Sequence, residues 1–360
     1  MKTKSIFSDY KGSLAHLAFD SKDSLGRRFC DEEDSVYDIL DPFFLDREKI
    51  RLSKSYRRLA DKTQVFPPSL HSNARNRLIH TNDVVSLSAV SASILGLNVY
   101  LAEAIAYGHD IGHAPFGHLG EKLICILSGK DFAHNIMSVV VAQKVERKGL
   151  GMNLTYEVLD GMKNHSSGTG EVKNISHTTQ EANLVKHNDK FAYTFSDLND
   201  SVRVGFLKEE SIPKSAKYFG VNQRERIAKI TFDFIKESLE EGQISFSKSE
   251  SAKQFAELRN WMFDNVYLVL DKEDYRMQVQ KKFEKISDYI CLNYDGKIDP
   301  HFAICCMTDS EVIDLYHDLN NGGVQDHKYG FVEIIQNFYE NRVNIYNPDL
   351  IKTNFLKVNL

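Results

Sequence analysis

Gly108-His109-Asp110-Ile111-Gly112-His113-Ala114-Pro115-Phe116-Gly117-His118 places an adjacent His-Asp pair and two further histidines in eleven residues, where a helical pattern ends. Imidazole suits zinc, iron, copper and nickel, and carboxylate also tolerates magnesium and manganese, so a mixed cluster can hold one divalent cation. The stretch predicts a metal-dependent hydrolase; histidines that only bond backbone in a tight loop are the alternative. Upstream, Val99, Leu101, Ala102, Ile105 and Ala106 recur at helical spacing after Asn98 and lead directly into His109. Before them, Leu78, Val84, Val85, Leu87, Val90 and Ile94 predict an amphipathic helix over 76–95 that stops near Gly96. Similar spacing predicts helices over 119–127, 133–147, 154–164 and 178–203. Alternating patterns are sparse. They suggest one short strand or hairpin over 243–247, and the composition of 161–177 predicts a loop.

The chain of 360 residues, 42% hydrophobic, is long enough for a sizeable core in one or two domains. A net charge of -5 gives no general pull toward nucleic acid. The first eleven residues are polar and charged, and no uninterrupted apolar run is long enough to span a bilayer, so a cytoplasmic protein without membrane contact is expected. Cys30, Cys125, Cys291, Cys305 and Cys306 are scattered and odd in number, which predicts reduced, mostly structural thiols. The acidic run 31–34 is expected to be a solvated surface.

A metal needs ligands from beyond one loop. His80 lies near the start of the helix preceding the His-Asp pair. On the long helix predicted over 178–203, Asp189, Tyr193 and Asp197 recur every four residues with Lys190 beside them, so they share one face. That face is either part of the site or a solvent-facing stripe.

These residues resemble a known family. His80, His109-Asp110 and Asp189 are similar to the H…HD…D signature of the HD-domain phosphohydrolases. The flanking text narrows the resemblance to the dGTPase branch, the deoxynucleoside triphosphate triphosphohydrolases. It includes Arg77-Leu-Ile-His80-Thr81, the stretch from Glu103 to Glu121, and Asp189-Lys190-Phe-Ala-Tyr193-x-x-x-Asp197-x-x-Asp200. Further similarity lies in Lys62-Thr-Gln64-Val-Phe, Phe132-Ala-His134-Asn135, Asn153-Leu-Thr-Tyr-Glu-Val and Leu258-Arg-Asn-Trp-Met-Phe, so the resemblance covers roughly residues 50–270. Asn188, in place of a small residue, and the neighbouring His187 depart from the family pattern. Residues 1–45 and the C-terminal third, where only Met307-Thr308-Asp309 with Ile313 and Tyr316 is similar, are less informative.

The resemblance implies a mostly α protein: an N-terminal extension (1–50), an HD-domain helical core (51–205) and a mainly helical C-terminal region (206–360) completing the pocket and oligomer contacts. It implies His80, His109, Asp110 and Asp189 as ligands of iron, manganese or zinc, with magnesium or manganese accompanying the triphosphate. Water would attack the α-phosphorus of a dNTP, dGTP foremost, releasing the deoxynucleoside and intact triphosphate. His118 is the first candidate for the acid that protonates the leaving oxygen, with His113, Glu121 and His134 arranging protons or phosphate contacts around it. Arg77 and Lys190 would meet the phosphates, Tyr193 would pack on the sugar, and Gln64 and Asp197 would contact its 3′-hydroxyl. Tyr267 could stack on the base. A homo-oligomer is expected, and a nucleotide or single-stranded nucleic acid effector is compatible. Two alternatives compete: another HD-type nucleotidase or phosphodiesterase, and a non-catalytic nucleotide sensor.

Overall fold

The chain builds its architecture from helices whose starts are fixed by their own side chains. The structure is a computed structural model and describes residues 11–37, 40–66, 71–166, 178–294, 298–324 and 329–338. In chain order the helices are α1 (Pro42–Arg51), α2 (Lys54–Arg58), α3 (Arg77–Leu95), α4 (Val99–Gly108), α5 (Gly117–Ser128), α6 (His134–Val140), α7 (Tyr156–Asn164) and α8 (Gln180–Arg203). They continue as α9 (Lys214–Phe219), α10 (Gln223–Glu241), α11 (Glu250–Met262), α12 (Leu268–Leu270), α13 (Glu273–Asn293), α14 (Pro300–Cys305), α15 (Asp309–Asn321) and α16 (Gly330–Phe338). Asn76, Asn98 and Thr179 accept hydrogen bonds from amides in the first turns of α3, α4 and α8, which fixes where each begins. Gly96, at φ +85°, ends α3 in the left-handed region.

The expected mostly helical fold is present, with no strand among the described residues. The hairpin expected over 243–247 is an irregular loop. Ile244 and Phe246 alternate inward, but the backbone amides find side chains rather than a partner strand. The Ile244 amide donates to Gln180 (3.0 Å), and those of Lys248 and Ser249 donate to the Glu237 carboxylate (3.1 and 3.0 Å). Within the loop expected over 161–177, residues 161–164 instead close α7, and 167–177 lie outside the described residues.

α3, α4, α7 and α8 pack together, α1 covers α4, and α10 and α11 flank α8 through a cluster of Phe191, Phe195, Phe234, Phe246 and Phe255. One continuous apolar core runs from Leu14 to Ile335. By length and composition alone α3 could cross a membrane. Its buried residues include Arg77, His80, Ser88 and Ser91, and it packs on α4 and α8, the position of a core helix. The N-terminal segment is tied into the same core. Gly12 and Leu14 donate to the Ile94 and Leu95 carbonyls at the end of α3 (both 2.9 Å), and Glu181 accepts from the amides of Phe19 and Asn98 (3.0 and 2.9 Å). The acidic run at 31–34 is more than a solvated surface, because Asp34 pairs with Lys49 (2.6 Å) and Asp31 with Arg147.

Candidate metal centre

Three separated stretches deliver four side chains to one point. His80 sits in the first turn of α3, His109 and Asp110 follow the last residue of α4, and Asp189 lies midway along α8; all four are buried. His80 Nε2 is 3.2 Å from Asp189 Oδ1 and 3.7 Å from Asp110 Oδ2. His109 Nε2 is 3.6 Å from Asp110 Oδ1 and 3.7 Å from Asp189 Oδ1. The His109 Nδ1–H donates to the Ala106 carbonyl (2.6 Å), which leaves Nε2 as the lone-pair nitrogen, and that buried atom makes no hydrogen bond. Ligands bound at about 2.1 Å to one ion lie roughly 3.0–3.4 Å apart, so this donor set suits a divalent cation with little movement.

Close helix packing explains how His109 is positioned. A Cβ on Gly108 would come within 2.6 Å of Met162 Sδ, and one on Gly161 within 2.4 Å of Ile105 Cδ1. Glycine on both helices therefore lets α4 and α7 approach closely, bringing the residues that follow them together.

Beside this group stands a second. His113 and His134 stack at 4.2 Å with an interplanar angle of 11°. Their Nδ1 atoms lie 3.1 and 2.9 Å from Glu121 Oε1, and their Nε2 atoms 4.0 and 3.9 Å from Asp110 Oδ1. His118 is not in the metal group. Its side chain is 73% exposed, with Nδ1 3.2 Å from Glu121 Oε2.

The loop carrying these residues is clamped by the C-terminal region. Asp309 accepts from the amides of Thr63 (3.0 Å) and Phe116 (2.9 Å), and buried Lys62 donates to the carbonyls of His113 and Cys305. Phe116 has φ +60°, an uncommon conformation for a bulky side chain, held where α5 begins. Gln64 belongs to the same clamp. A Cβ on Gly117 would meet both the Gln64 carbonyl and Arg77 Nη2 at 3.2 Å, and Gln64 Oε1 is buried without a hydrogen bond.

Two buried cations border the centre. Arg77 donates to Asp110 Oδ2 (2.8 Å), and Lys190 to Asp189 Oδ2 (2.8 Å) while lying 5.4 Å from the Tyr193 ring centroid. Farther along α8, Asp197 accepts from the Tyr267 hydroxyl (2.8 Å). The α8 stripe thus faces inward for Asp189 and Asp197, with Tyr193 partly buried, instead of facing solvent. His187 points elsewhere, toward Phe234 (ring centroids 5.3 Å), and Asn188 reaches Ser88 (3.4 Å). The two departures from the family pattern therefore stay out of the centre.

Charge follows from these contacts. Burial alone would raise Asp110, but His109 and Arg77 hold its carboxyl well below the usual range. Lys190 does the same for Asp189 against burial. Burial depresses His109 and His113, keeping them neutral and able to donate lone pairs. Asp197 moves the other way. Burial pushes it up to about 7, over the opposing hydrogen bond from Tyr267.

The sign of that shift gives a stability prediction. The folded state keeps the Asp197 proton while the unfolded chain loses it near 3.8, so this group favours folding at low pH, and the advantage disappears between about pH 4 and 7. Asp197→Asn keeps an acceptor for Tyr267 and removes the buried charge. Its melting temperature should exceed that of the wild type by more at pH 8 than at pH 5; an equal difference at both would show that Asp197 is not a buried, high-pKa acid.

Sequence reasoning missed His165. It follows α7 as His109 follows α4, is buried, and donates from Nδ1 to the Met162 carbonyl (2.6 Å) as His109 does to Ala106. Its Nε2 is 3.2 Å from His134 Nε2. The only signal was its place one residue beyond a predicted helix, inside a stretch whose composition read as a loop.

A family model described as HD domain matches residues 77–194. The chain is 40% identical over 298 residues, 81% of its length and 85% of the relative's, to a deoxyguanosinetriphosphate triphosphohydrolase-like protein of Clostridium perfringens. Proteins so named from Clostridium tetani (42% over 253 residues, covering 69% and 71%) and Desulfatibacillum aliphaticivorans (35% over 290 residues, covering 79% and 82%) are also similar.

Proposed function

The chain belongs to the family of deoxyguanosinetriphosphate triphosphohydrolase-like proteins with an HD domain, and from that membership we propose that it hydrolyses deoxynucleoside triphosphates, dGTP foremost, to the deoxynucleoside and inorganic triphosphate. The observation that carries the proposal is the convergence of His80, His109, Asp110 and Asp189 beside a Glu121-His113-His134 group and two buried cations. When bound by these four side chains, iron, manganese or zinc supplies Lewis acidity toward a phosphoryl oxygen and acidifies water.

The protein's own groups do the rest. Arg77 offers forked donors and Lys190 a point charge to a polyphosphate, with magnesium or manganese as its counter-ion. Tyr193 packs against the sugar, whose 3′-hydroxyl Gln64 and Asp197 contact, and the ring leaves no room for a 2′-hydroxyl. In the reaction the bond between the α-phosphorus and the 5′-oxygen breaks, the oxygen of water ends on phosphorus, and a proton ends on the departing 5′-oxygen. His118 delivers that proton. Glu121 orients it through the 3.2 Å contact and links it to His113 and His134. Replacing one general acid typically costs about 10²–10⁴-fold in rate. His118→Ala should therefore lose kcat on that scale with KM little changed; a variant retaining most of its kcat removes His118 from the proton transfer.

The test of the proposal is a panel of the four dNTPs, the matching rNTPs, a dNMP and cyclic nucleotides, incubated with several divalent metals and separated by chromatography. Release of deoxynucleoside and tripolyphosphate from dNTPs, with rNTPs poor substrates, is the expected result. Turnover of only monophosphates or cyclic nucleotides assigns the chain to other HD chemistry, and no turnover with any metal makes it a sensor. Light scattering should give at least a dimer, the state in which the C-terminal region would complete its contacts.

A further inference from the structure

Asp309, in the C-terminal third, puts one carboxylate between two distant pieces of backbone. It opens α15 and is buried. One oxygen accepts from the Thr63 amide (3.0 Å) and the other from the Phe116 amide (2.9 Å). Buried Lys62, beside Thr63, supplies the neighbouring positive charge and donates to the carbonyls of His113 and Cys305. The Lys62 carbonyl in turn accepts from the Arg77 amide (3.0 Å). The strap of residues 62–64 therefore joins the start of α3, the loop after the His-Asp pair and the start of α15.

What Asp309 holds is an unfavourable turn. Phe116 and Gly117 both have φ +60°, a region that a bulky side chain avoids. Phe116 gives α5 no capping side chain, and His118 is the second residue of that helix. A chain free to relax would return Phe116 to negative φ and swing the first turn of α5, moving His118 and then Glu121. His80, His109, Asp110 and Asp189 belong to α3, α8 and the residues after α4, outside this turn.

We propose that Asp309 is a positioning residue of the reaction: its bond to the Phe116 amide keeps the 116–117 turn left-handed and so sets His118 against the substrate. The proposal rests on the reading of His118 as the proton donor, and it requires no contact between Asp309 and substrate or metal. Asp309→Asn preserves the volume, but one oxygen becomes an NH2 group that cannot accept from an amide.

The test is steady-state kinetics on the full-length, metal-saturated protein, with bound metal and melting temperature measured on each sample. A misplacement of about 1 Å costs about 10²-fold, so Asp309→Asn should lose that factor in kcat with KM and metal content little changed. Two double variants separate positioning from stability. Adding Phe116→Gly to Asp309→Asn should recover most of the lost kcat, because glycine takes positive φ without strain, although losing the ring beside Phe283 lowers the melting temperature. A support that only stabilised the fold would make kcat follow the melting temperature down. Adding Asp309→Asn to His118→Ala should cost nothing further, since a residue acting through His118 has nothing left to position. Full kcat in Asp309→Asn, metal lost in step with kcat, a folded Phe116→Gly double variant that is no faster, or losses that multiply with His118→Ala each overturn the proposal. Multiplying losses reject the positioning alone and leave the activity, judged on the wild-type products, standing. His118→Ala at full rate is a different result, and it rejects the proton donor on which the positioning depends.

Discussion

Asp110→Ala is expected to lose the bound metal and at least ~10³-fold of kcat together, since a Lewis-acid contribution of several kcal/mol converts at tenfold per about 1.4 kcal/mol. The reasoning is geometric. The oxygens of Asp110 approach both His80 (3.7 Å) and His109 (3.6 Å), as Asp189 Oδ1 does from the other side (3.2 and 3.7 Å), and Asp110 also receives the Arg77 guanidinium (2.8 Å). Its removal separates two effects that must be kept apart. Loss of the carboxylate removes a ligand, and it also leaves Arg77 as a buried cation without its partner, which by itself costs about 3–5 kcal/mol of stability. Asp110→Asn distinguishes them, because the amide oxygen still accepts from Arg77 but offers no negative charge to a metal. The asparagine variant should melt closer to the wild type than the alanine variant and yet be equally poor in metal and in turnover. Full turnover in either variant, measured with metal content on the same sample, removes Asp110 from the chemistry.

The second large effect is on stability. A Cβ on Gly112 would stand 2.1 Å from the Ser138 amide nitrogen and 2.3 Å from the Met137 carbonyl carbon. Both are backbone atoms of α6, so no side-chain rotation relieves the clash. The Gly112 amide donates to Ser138 Oγ (2.9 Å), which donates in turn to the His109 carbonyl (2.8 Å). Forcing α6 outward breaks this chain and displaces His134, the first residue of α6. Overpacking of a core typically costs 1–3 kcal/mol; a clash with backbone at this distance belongs above ~3 kcal/mol. Gly112→Ala should therefore lower the melting temperature severely or yield insoluble protein. Gly129→Ala is the control: its φ of +67° strains any side chain, but nothing lies within 4 Å, so the cost should be only about 1 kcal/mol. Equal melting temperatures for the two variants would contradict the packing described here.

How much of this was legible in the sequence depended on whether the deciding interaction was local. The ends of α3 and α4 were, because Asn76, Gly96 and Asn98 act on amides and carbonyls within their own turns. The inward face of α8 was half legible. The four-residue recurrence put Asp189, Tyr193 and Asp197 on one side, but whether that side met solvent or protein depended on α3 and on Tyr267, 70 residues from Asp197. The segment at 243–247 misled for the same reason: its alternation of apolar residues is real, yet its amides are satisfied by Gln180 and Glu237, so no strand forms. His165 was hidden because a lone histidine after a helix carries no pattern. Only the close approach of α4 and α7 at Gly108 and Gly161 brings it next to His109 and His134. Asp309 lies in a region with faint similarity, and its clamp on Thr63 and Phe116 spans 246 and 193 residues.

The most direct measurement is hydrolysis of dGTP in heavy-oxygen water, with both products analysed by mass spectrometry. Attack on the α-phosphorus predicts deoxyguanosine free of label and tripolyphosphate carrying one heavy oxygen. Label in the nucleoside, or dGMP and pyrophosphate as the products, would contradict it.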